Sequence, residues 1–326
     1  MKYFLAVLCL LAPLPAFAQS QADEDKGYLT TLIEENLSGV SRDVNIVGFE
    51  GALSSNATID MLTVADAEGV WLTLEDIVLI WSRSALLRGA IDVQELSAAR
   101  ITIARPPLSE GAAGPSAEAT PFALPDLPVS ITLGQLDIAE IILGEAFLGE
   151  EVTVSLTGAA ALGEGEGSAE IIATRLGDKS GVFEISGAYA NETRMLDLLL
   201  NLEEGADGIA ARILDLPGRP AIKLGVAGNA PLDDYHATLA IATDGQDRLS
   251  GAFKLQNLEA EKRITLDVGG DISPLFNPEY QGFFGTDAEL SVAAILSDTG
   301  RVDIPKIAVD AGRVTLAGTV HIGSQG

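Results

Sequence analysis

The chain has 326 residues, 47 acidic and 20 basic, which gives a formal net charge of −27 at pH 7. A surface this acidic repels phosphate backbones, so nucleic acid is excluded as a partner. Hydrophobic residues make up 47% of the chain and aromatic residues only 5%, with 34 glycines, a composition that favours sheets of Val, Ile, Leu and Ala joined at glycine turns. The acidic residues are best explained as a solvated strand surface.

Residues 1–18 have the organisation of a secretory signal. Lys2 supplies a positive charge, residues 4–14 are apolar, and a small-x-small cleavage site ends at Ala18. We expect cleavage after Ala18 and export to the periplasm. An uncleaved segment anchored in the inner membrane is the alternative, although the apolar run is shorter than the about 20 residues of a spanning helix. Cys9 is the only cysteine, so a cleaved chain would have no disulfide, thiolate metal site or Cys nucleophile.

A first unit, a helix followed by strands, is predicted at residues 26–105. Apolar residues recur at steps of three and four over residues 26–38, which is typical of an amphipathic helix, and Gly39 can end it. From about Asn45 apolar and polar residues alternate with a period of two. This alternation predicts strands with one buried face.

Two irregularities are predicted inside this unit. Residues 82–89 interrupt the alternation and predict a single helical turn that ends at Gly89, with Leu86 and Leu87 turned inward. A β-bulge is predicted at residues 75–76, because a bulge reverses the facing of every later side chain in its strand.

A Pro-, Ala-, Gly- and Ser-rich stretch at residues 106–128 predicts a flexible linker. A second unit is predicted at residues 129–326, where short polar turns join the strands and favour an antiparallel meander. Two inserts interrupt it. Residues 207–216 predict a short helix, and the aromatic-rich residues 274–285 predict a plug at an open edge of the sheet.

Candidate functional residues are the apolar members of these strands. A sheet with one continuous apolar face would expose them inside an open groove, where they could contact lipid. The predicted groove residues are Leu72, Leu74, Leu79, Ile91, Val93, Ile101, Ile103, Ile131, Leu133, Val154, Ile222, Leu224 and Val226.

A catalytic set is not apparent in the sequence. His236 and His321 are the only histidines, and neither has a partner at metal-ligand spacing. Nucleophile elbow, Walker loop and zinc-helix motifs are absent. The acidic pairs at residues 203–204 and 233–234 are predicted in turns and lack the order of a calcium loop. We therefore predict a protein that is not an enzyme and uses no metal or cofactor.

Several ordered phrases resemble the N-terminal part of the TamB family, of the alphaproteobacterial type. They are residues 29–39 (LTTLIEENLSG), 47–60 (VGFEGALSSNATID), 69–76 (GVWLTLED), 81–89 (WSRSALLRG), 207–220 (DGIAARILDLPGRP) and 231–235 (PLDDY). TamB-like proteins are usually far longer and end in a further C-terminal domain. The resemblance therefore predicts that this chain is an N-terminal part, truncated at its C-terminus.

This resemblance implies a fold and a function. TamB belongs with the AsmA-like proteins, whose elongated, curved antiparallel sheet encloses an open apolar groove, the β-taco. The implied role is phospholipid transport between the inner and outer membranes, together with outer-membrane protein assembly beside a TamA-like outer-membrane barrel protein. A non-catalytic scaffold that pairs its edge strands with outer-membrane protein or autotransporter substrates is the alternative. An extracytoplasmic hydrolase is a third hypothesis, for which no nucleophile or metal cluster is available.

Overall fold

The structure is a computed structural model of the chain. It describes residues 42–51, 54–108, 122–125, 127–258, 261–297 and 301–323. The predicted signal at residues 1–18 and the predicted helix at residues 26–38 lie outside the described residues.

Sixteen strands of the described chain form one sheet, in which the spatial order is the chain order from β1 to β16 and the two edge strands do not meet. This confirms the prediction of a mainly β protein. The strands are β1 (Asp43–Val47), β2 (Asn56–Asp66), β3 (Gly69–Trp81), β4 (Ala90–Ile103), β5 (Ser130–Leu143), β6 (Val152–Gly163), β7 (Glu166–Arg175), β8 (Gly181–Ala190), β9 (Met195–Glu204), β10 (Ile222–Pro231), β11 (Asp234–Thr243), β12 (Gln246–Leu258), β13 (Glu261–Gly270), β14 (Ala288–Ser297), β15 (Val302–Ala311) and β16 (Val314–Ile322).

The prediction of an antiparallel sheet is wrong at one pair of strands. β4 and β5 run parallel, with Ala90 opposite Ser130 and Ile103 opposite Leu143, whereas the other neighbouring strands of the described chain are antiparallel. A parallel pair needs a long crossover connection, and residues 104–129 supply it. The strands predicted as two units therefore lie in one sheet.

Parts of this long connection are fixed on the sheet. Arg105 donates to both carboxylate oxygens of Asp66, at 2.9 and 2.6 Å. Farther along, the Leu124 amide donates to Asn191 Oδ1 at 2.8 Å, and Asn191 Nδ2 donates to the Leu124 carbonyl at 2.9 Å. Residues 122–125 of the predicted flexible linker are thus held at the turn between β8 and β9.

The described residues also contain short helices, namely α1 (Arg83–Leu86), α2 (Glu145–Leu148), α3 (Ile209–Ile213), a 3₁₀ turn (Ser273–Leu275) and α4 (Pro278–Gln281). α1 confirms the predicted turn, and Gly89 follows it with a positive φ of 69°. Its predicted orientation is wrong, since Leu86 and Leu87 are 50% and 90% exposed while Ala85 is 1% exposed. A four-residue helix can bury only one position, and each following residue rotates about 100° away from it.

Both predicted inserts contain helical segments. α3 lies in the first, and the 3₁₀ turn and α4 lie in the second. In the second insert the rings of Phe276 and Phe284 stack with centroids 4.0 Å apart. The Arg313 amide donates to the Phe283 carbonyl at 3.1 Å. This insert therefore covers the turn between β15 and β16.

Buried apolar side chains form two small clusters in the described chain. One contains Val44, Ile46 and Val64, and the other contains Ala230, Tyr235 and Ala237. The Tyr235 ring lies over Gly228, where any added side chain would collide with the phenol oxygen. These clusters are small for a sheet of sixteen strands, so most apolar side chains are only partly covered.

Candidate functional site

Cross-strand pairing places the predicted groove residues of β3, β4 and β6 on one face of the sheet. Residues directly opposite each other in neighbouring strands project from the same face. Leu72 lies opposite Ile103, and Leu74 lies opposite Ile101. Pairing of Ile101 with Ile141 in β5, and of Ile141 with Val154, carries the row into β6. We call this surface face A.

The other end of β4 and β5 belongs to face A as well. Ile91 lies opposite Ile131, and Val93 lies opposite Leu133. Leu133 lies opposite Ala160 in β6, which is an even number of residues from Val154 in a strand that pairs regularly with β7. Because side chains alternate between the two faces along β6, Ala160 and Val154 project from the same face.

Leu79 stays on face A because β3 contains a kink. The face A residues Leu74 and Ile77 are three positions apart, and between them Asp76 has a positive φ of 50°. The residues opposite Leu74 and Ile77 are also three positions apart in each neighbouring strand, Ile59 and Leu62 in β2 and Ala98 and Ile101 in β4. The pairing register is therefore the same before and after the kink. The irregularity predicted at residues 75–76 is therefore a left-handed residue, Asp76, in β3, matched by three-residue steps in β2 and β4 rather than by one extra residue in one strand.

Predicted residues of β10 complete the set. Ile222, Leu224 and Val226 lie opposite Glu204, Leu202 and Leu200 of β9. On the other side they lie opposite Thr243, Ile241 and Leu239 of β11. The same face continues with Leu266 opposite Val292 and Leu290 opposite Val309. All thirteen predicted residues thus share face A.

Face A is only partly covered. Twelve of the thirteen residues are half-buried, and Ile222 is buried, with 4% exposure. A two-layer domain would cover such a face with a second sheet or with helices. The described residues contain no second sheet, and their helices are three to five residues long. Many Leu, Ile and Val side chains therefore keep partial contact with solvent.

The opposite surface, face B, carries exposed ion pairs. Arg100 donates to Glu140 at 2.9 Å and to Glu75 at 3.4 Å, and Lys223 lies 3.5 Å from Glu203. Exposed pairs of this kind contribute little to stability. Their effect is to keep face B in water.

At the end of β6 to β9, charged residues gather beside α3. Glu150 accepts hydrogen bonds from Arg175 at 2.7 Å and from Lys179 at 3.0 and 2.9 Å, and it forms an ion pair with Arg212 at 2.7 Å. Glu204 accepts hydrogen bonds from the first amides of α3, at 3.1 and 2.7 Å. We call these five residues the end cluster. It contains three cations, all of which contact Glu150, and a second carboxylate, Glu204, which binds the amides of α3.

The stabilisation that the Glu150 carboxylate gives to the fold is expected to decrease within a defined pH range. Hydrogen bonds from Arg212, Lys179 and Arg175, in that order of effect, lower the pKa of Glu150 from 4.5 to about 2. A lowered folded-state pKa stabilises the fold above the unfolded pKa, and that contribution is lost as the pH falls toward the folded pKa. In urea unfolding, the stability difference between the wild type and Glu150→Gln should be constant above about pH 5 and shrink between 4.5 and about 2.

The matched control is Glu203→Gln, which removes a carboxylate from an exposed pair on face B. This variant should differ little from the wild type at any pH, because exposed pairs contribute at most about 1 kcal/mol. If the Glu150→Gln difference does not change with pH, the network around Glu150 does not act in solution.

The end cluster was not predicted from the sequence. Its members lie between residues 150 and 212 and belong to no known motif, and Glu204 was noted only as part of the acidic pair at residues 203–204. The local signals are two charges in apolar positions of face A. Arg175 continues the alternation of Ile171 and Ala173, and Glu204 continues that of Leu200 and Leu202.

Both histidines lie on exposed strand surface. His236 is exposed opposite Lys254. His321 Nδ1 lies 2.8 Å from Asp303 Oδ1. The hydrogen bonds from His321 and Arg301 hold the pKa of Asp303 below its ordinary value. Within the described ranges, no group of three or more His, Cys, Asp or Glu side chains could hold a metal ion.

The two carboxylates of each acidic pair have different surroundings. The prediction that residues 203–204 lie in a turn is wrong, because both belong to β9. Consecutive strand residues point to opposite faces, so Glu203 lies on face B and Glu204 on face A. Asp233 accepts two hydrogen bonds from Arg194, at 2.6 and 3.0 Å, which lower its pKa.

Among the described residues, no helix has both the length and the apolar character needed to cross a membrane. Comparison of the chain with protein-family models, with curated proteins and with solved structures found no match.

Proposed function

We propose that this protein is a non-catalytic carrier of acyl lipids in the cell envelope, and that face A is the surface on which the acyl chains lie. One observation carries the proposal. Half-buried Leu, Ile and Val side chains run in register across the sheet, and the described chain offers only short helices to cover them. Each methylene moved from water onto such a surface gains about 0.8 kcal/mol.

The proposal includes the shape of the sheet. A twisted sheet of many strands curls along its length, and curling toward face A would produce an elongated groove with an apolar interior and a polar exterior. This is the β-taco architecture that the resemblance to the TamB family implies. In such a groove the thirteen face A residues would contact acyl chains over several strands.

Compartment and partners follow from the signal sequence and the resemblance. The protein would act in the periplasm, or anchored in the inner membrane if its signal is not cleaved. Its cargo would be phospholipid moving between the inner and outer membranes, and its partner a TamA-like outer-membrane barrel protein. No residue would need to perform covalent chemistry.

Copurification tests the cargo directly. The protein would be purified from the envelope without added lipid, and bound phospholipid measured by mass spectrometry. We expect phospholipid at a fixed ratio to protein. Replacing both His236 and His321 by Ala should leave this ratio unchanged, since both lie on exposed surface. A lipid-free wild-type protein, or lipid lost on histidine replacement, would contradict a carrier based on face A.

A further inference from the structure

An unmet hydrogen-bond donor lies at one end of face A. The side chain of Arg175 is 7% exposed, and its Nη2 donates to Glu150 at 2.7 Å. Its Nη1 is buried, and among the described residues it has no acceptor. A buried cationic donor without an acceptor is costly, and almost all such groups in proteins have a partner. Nη1 therefore marks a place where an acceptor belongs.

The space beside Arg175 suits an apolar chain. A cavity of about 260 Å³ lies between α3 and face A, and its apolar lining includes Val154, Ala173, Phe183, Leu202 and Ile209. A cavity of about 150 Å³ is large enough to hold benzene, so this one accommodates a stretch of several methylenes. The remainder of an acyl chain would continue along face A.

The charge of the end cluster favours an anion. Arg175, Lys179 and Arg212 together exceed the carboxylates of Glu150 and Glu204 by one positive charge. This local excess contrasts with the net charge of −27 of the whole chain. Guanidinium groups bind phosphate and carboxylate oxygens in charge-assisted hydrogen bonds. Glu150 takes one donor from each cation, and its negative charge opposes the binding of a second anion at Nη1 of Arg175.

We propose that Arg175 binds the anionic headgroup of an acyl lipid whose chain enters the cavity under α3 and continues along face A. This assignment rests on the proposed function, because it presumes that face A holds acyl chains. It adds a selectivity to that function, namely a preference for acyl lipids with an anionic phosphate headgroup over uncharged ones such as diacylglycerol. It also gives the lipid an orientation, with its head at the end of β7.

Binding selectivity tests the assignment. The full chain would be incubated with phosphatidylglycerol vesicles containing diacylglycerol, then separated from them, and the ratio of phosphatidylglycerol to diacylglycerol on the protein measured. We expect enrichment of phosphatidylglycerol. Arg175→Met should reduce the enrichment about tenfold, the effect of losing one charge-assisted hydrogen bond. A variant that binds both lipids less well changes their amounts on the protein but leaves this ratio unchanged.

Two further variants separate headgroup binding from misfolding. Glu150→Gln removes the negative charge beside Arg175 and should increase the enrichment, a gain that damage to the fold would not produce. Arg194→Met is the matched control, because this arginine has a bidentate partner in Asp233 at the opposite end of β9. Its enrichment should equal that of the wild type. Added inorganic phosphate should not abolish the enrichment, since it lacks the acyl chain.

The outcomes that overturn the proposal are distinct. Equal retention of both lipids by the wild type, or an enrichment unchanged by Arg175→Met, would refute the headgroup site and leave the carrier function standing. Inorganic phosphate that fully displaces phosphatidylglycerol would identify a site for a free anion instead. A wild-type protein that retains neither lipid would refute the carrier function and the headgroup site together.

Discussion

Leu224→Asp is expected to remove bound phospholipid while the sheet stays folded. Leu224 is half-buried on face A, opposite Leu202 and Ile241. In the lipid-free protein the new carboxylate can remain hydrated, whereas an acyl chain laid over it would strip away its water. Burying an unpartnered polar group costs at least about 2 kcal/mol, and a charge costs more. Lipid retention, measured by mass spectrometry after copurification, should therefore fall more than tenfold.

Leu199→Asp is the matched control, with the same substitution one strand away on face B. Leu199 is 42% exposed and lies opposite Ala227 and Ser186. A carboxylate there remains in water whether or not lipid is bound, so lipid retention should be unchanged. Leu133→Arg on face A should behave like Leu224→Asp. Equal lipid loss in the Leu199 and Leu224 variants would show that face A is not the binding surface.

Gly251→Ala is expected to be strongly destabilising in the second half of the sheet. Gly251 lies opposite Val268 in β13, and an added Cβ would approach the Val268 Cα to 2.6 Å and collide with the Asp267 carbonyl. Backbone atoms in a paired strand cannot move aside without breaking the pairing of β12 and β13. We expect a loss of about 2 kcal/mol or more in unfolding free energy, as for overpacked cores, measured by urea denaturation.

Gly225→Ala provides the comparison in β10. The nearest atom to an added Cβ there is Asn201 Oδ1, at 3.7 Å, an ordinary contact distance. Reduced freedom of the unfolded chain should make this variant neutral or more stable by up to about 1 kcal/mol. Similar stabilities for the two variants would indicate that β12 and β13 are not packed as closely as the Gly251 contacts require.

Local alternation was enough to predict which residues share face A. Ile222, Leu224 and Val226 alternate with Lys223, Gly225 and Ala227, and a period of two admits only one arrangement on a paired strand. The kink near Asp76 was also foreseeable, because Leu72 and Leu74 fall out of phase with Ile77 and Leu79. The pairing register of each strand is then fixed by burial of its apolar face. A strand that slipped by one residue against its neighbour would turn its apolar side chains to the solvent side of the sheet.

Features set by distant contacts were not predictable in this way. The parallel pairing of β4 and β5 depends on where the connection at residues 104–129 returns to the sheet, and nothing in the alternation of either strand records its direction. Leu86 and Leu87 were assigned inward because they are apolar, although a single helical turn has room for only one buried residue, Ala85. The end cluster depends on charged residues from separate segments.

Site-specific photo-crosslinking in cells tests the central claim most directly, because it reports what touches each face of the sheet. A benzophenone side chain would replace Leu133, Leu224 or Val226 on face A, and Leu199 on face B as the control. After irradiation, the protein would be analysed by mass spectrometry for covalently attached phospholipid. A carrier that holds acyl chains on face A predicts phospholipid adducts at the three face A positions and none at Leu199. Adducts that are absent from face A, or equally frequent at Leu199, would contradict the account.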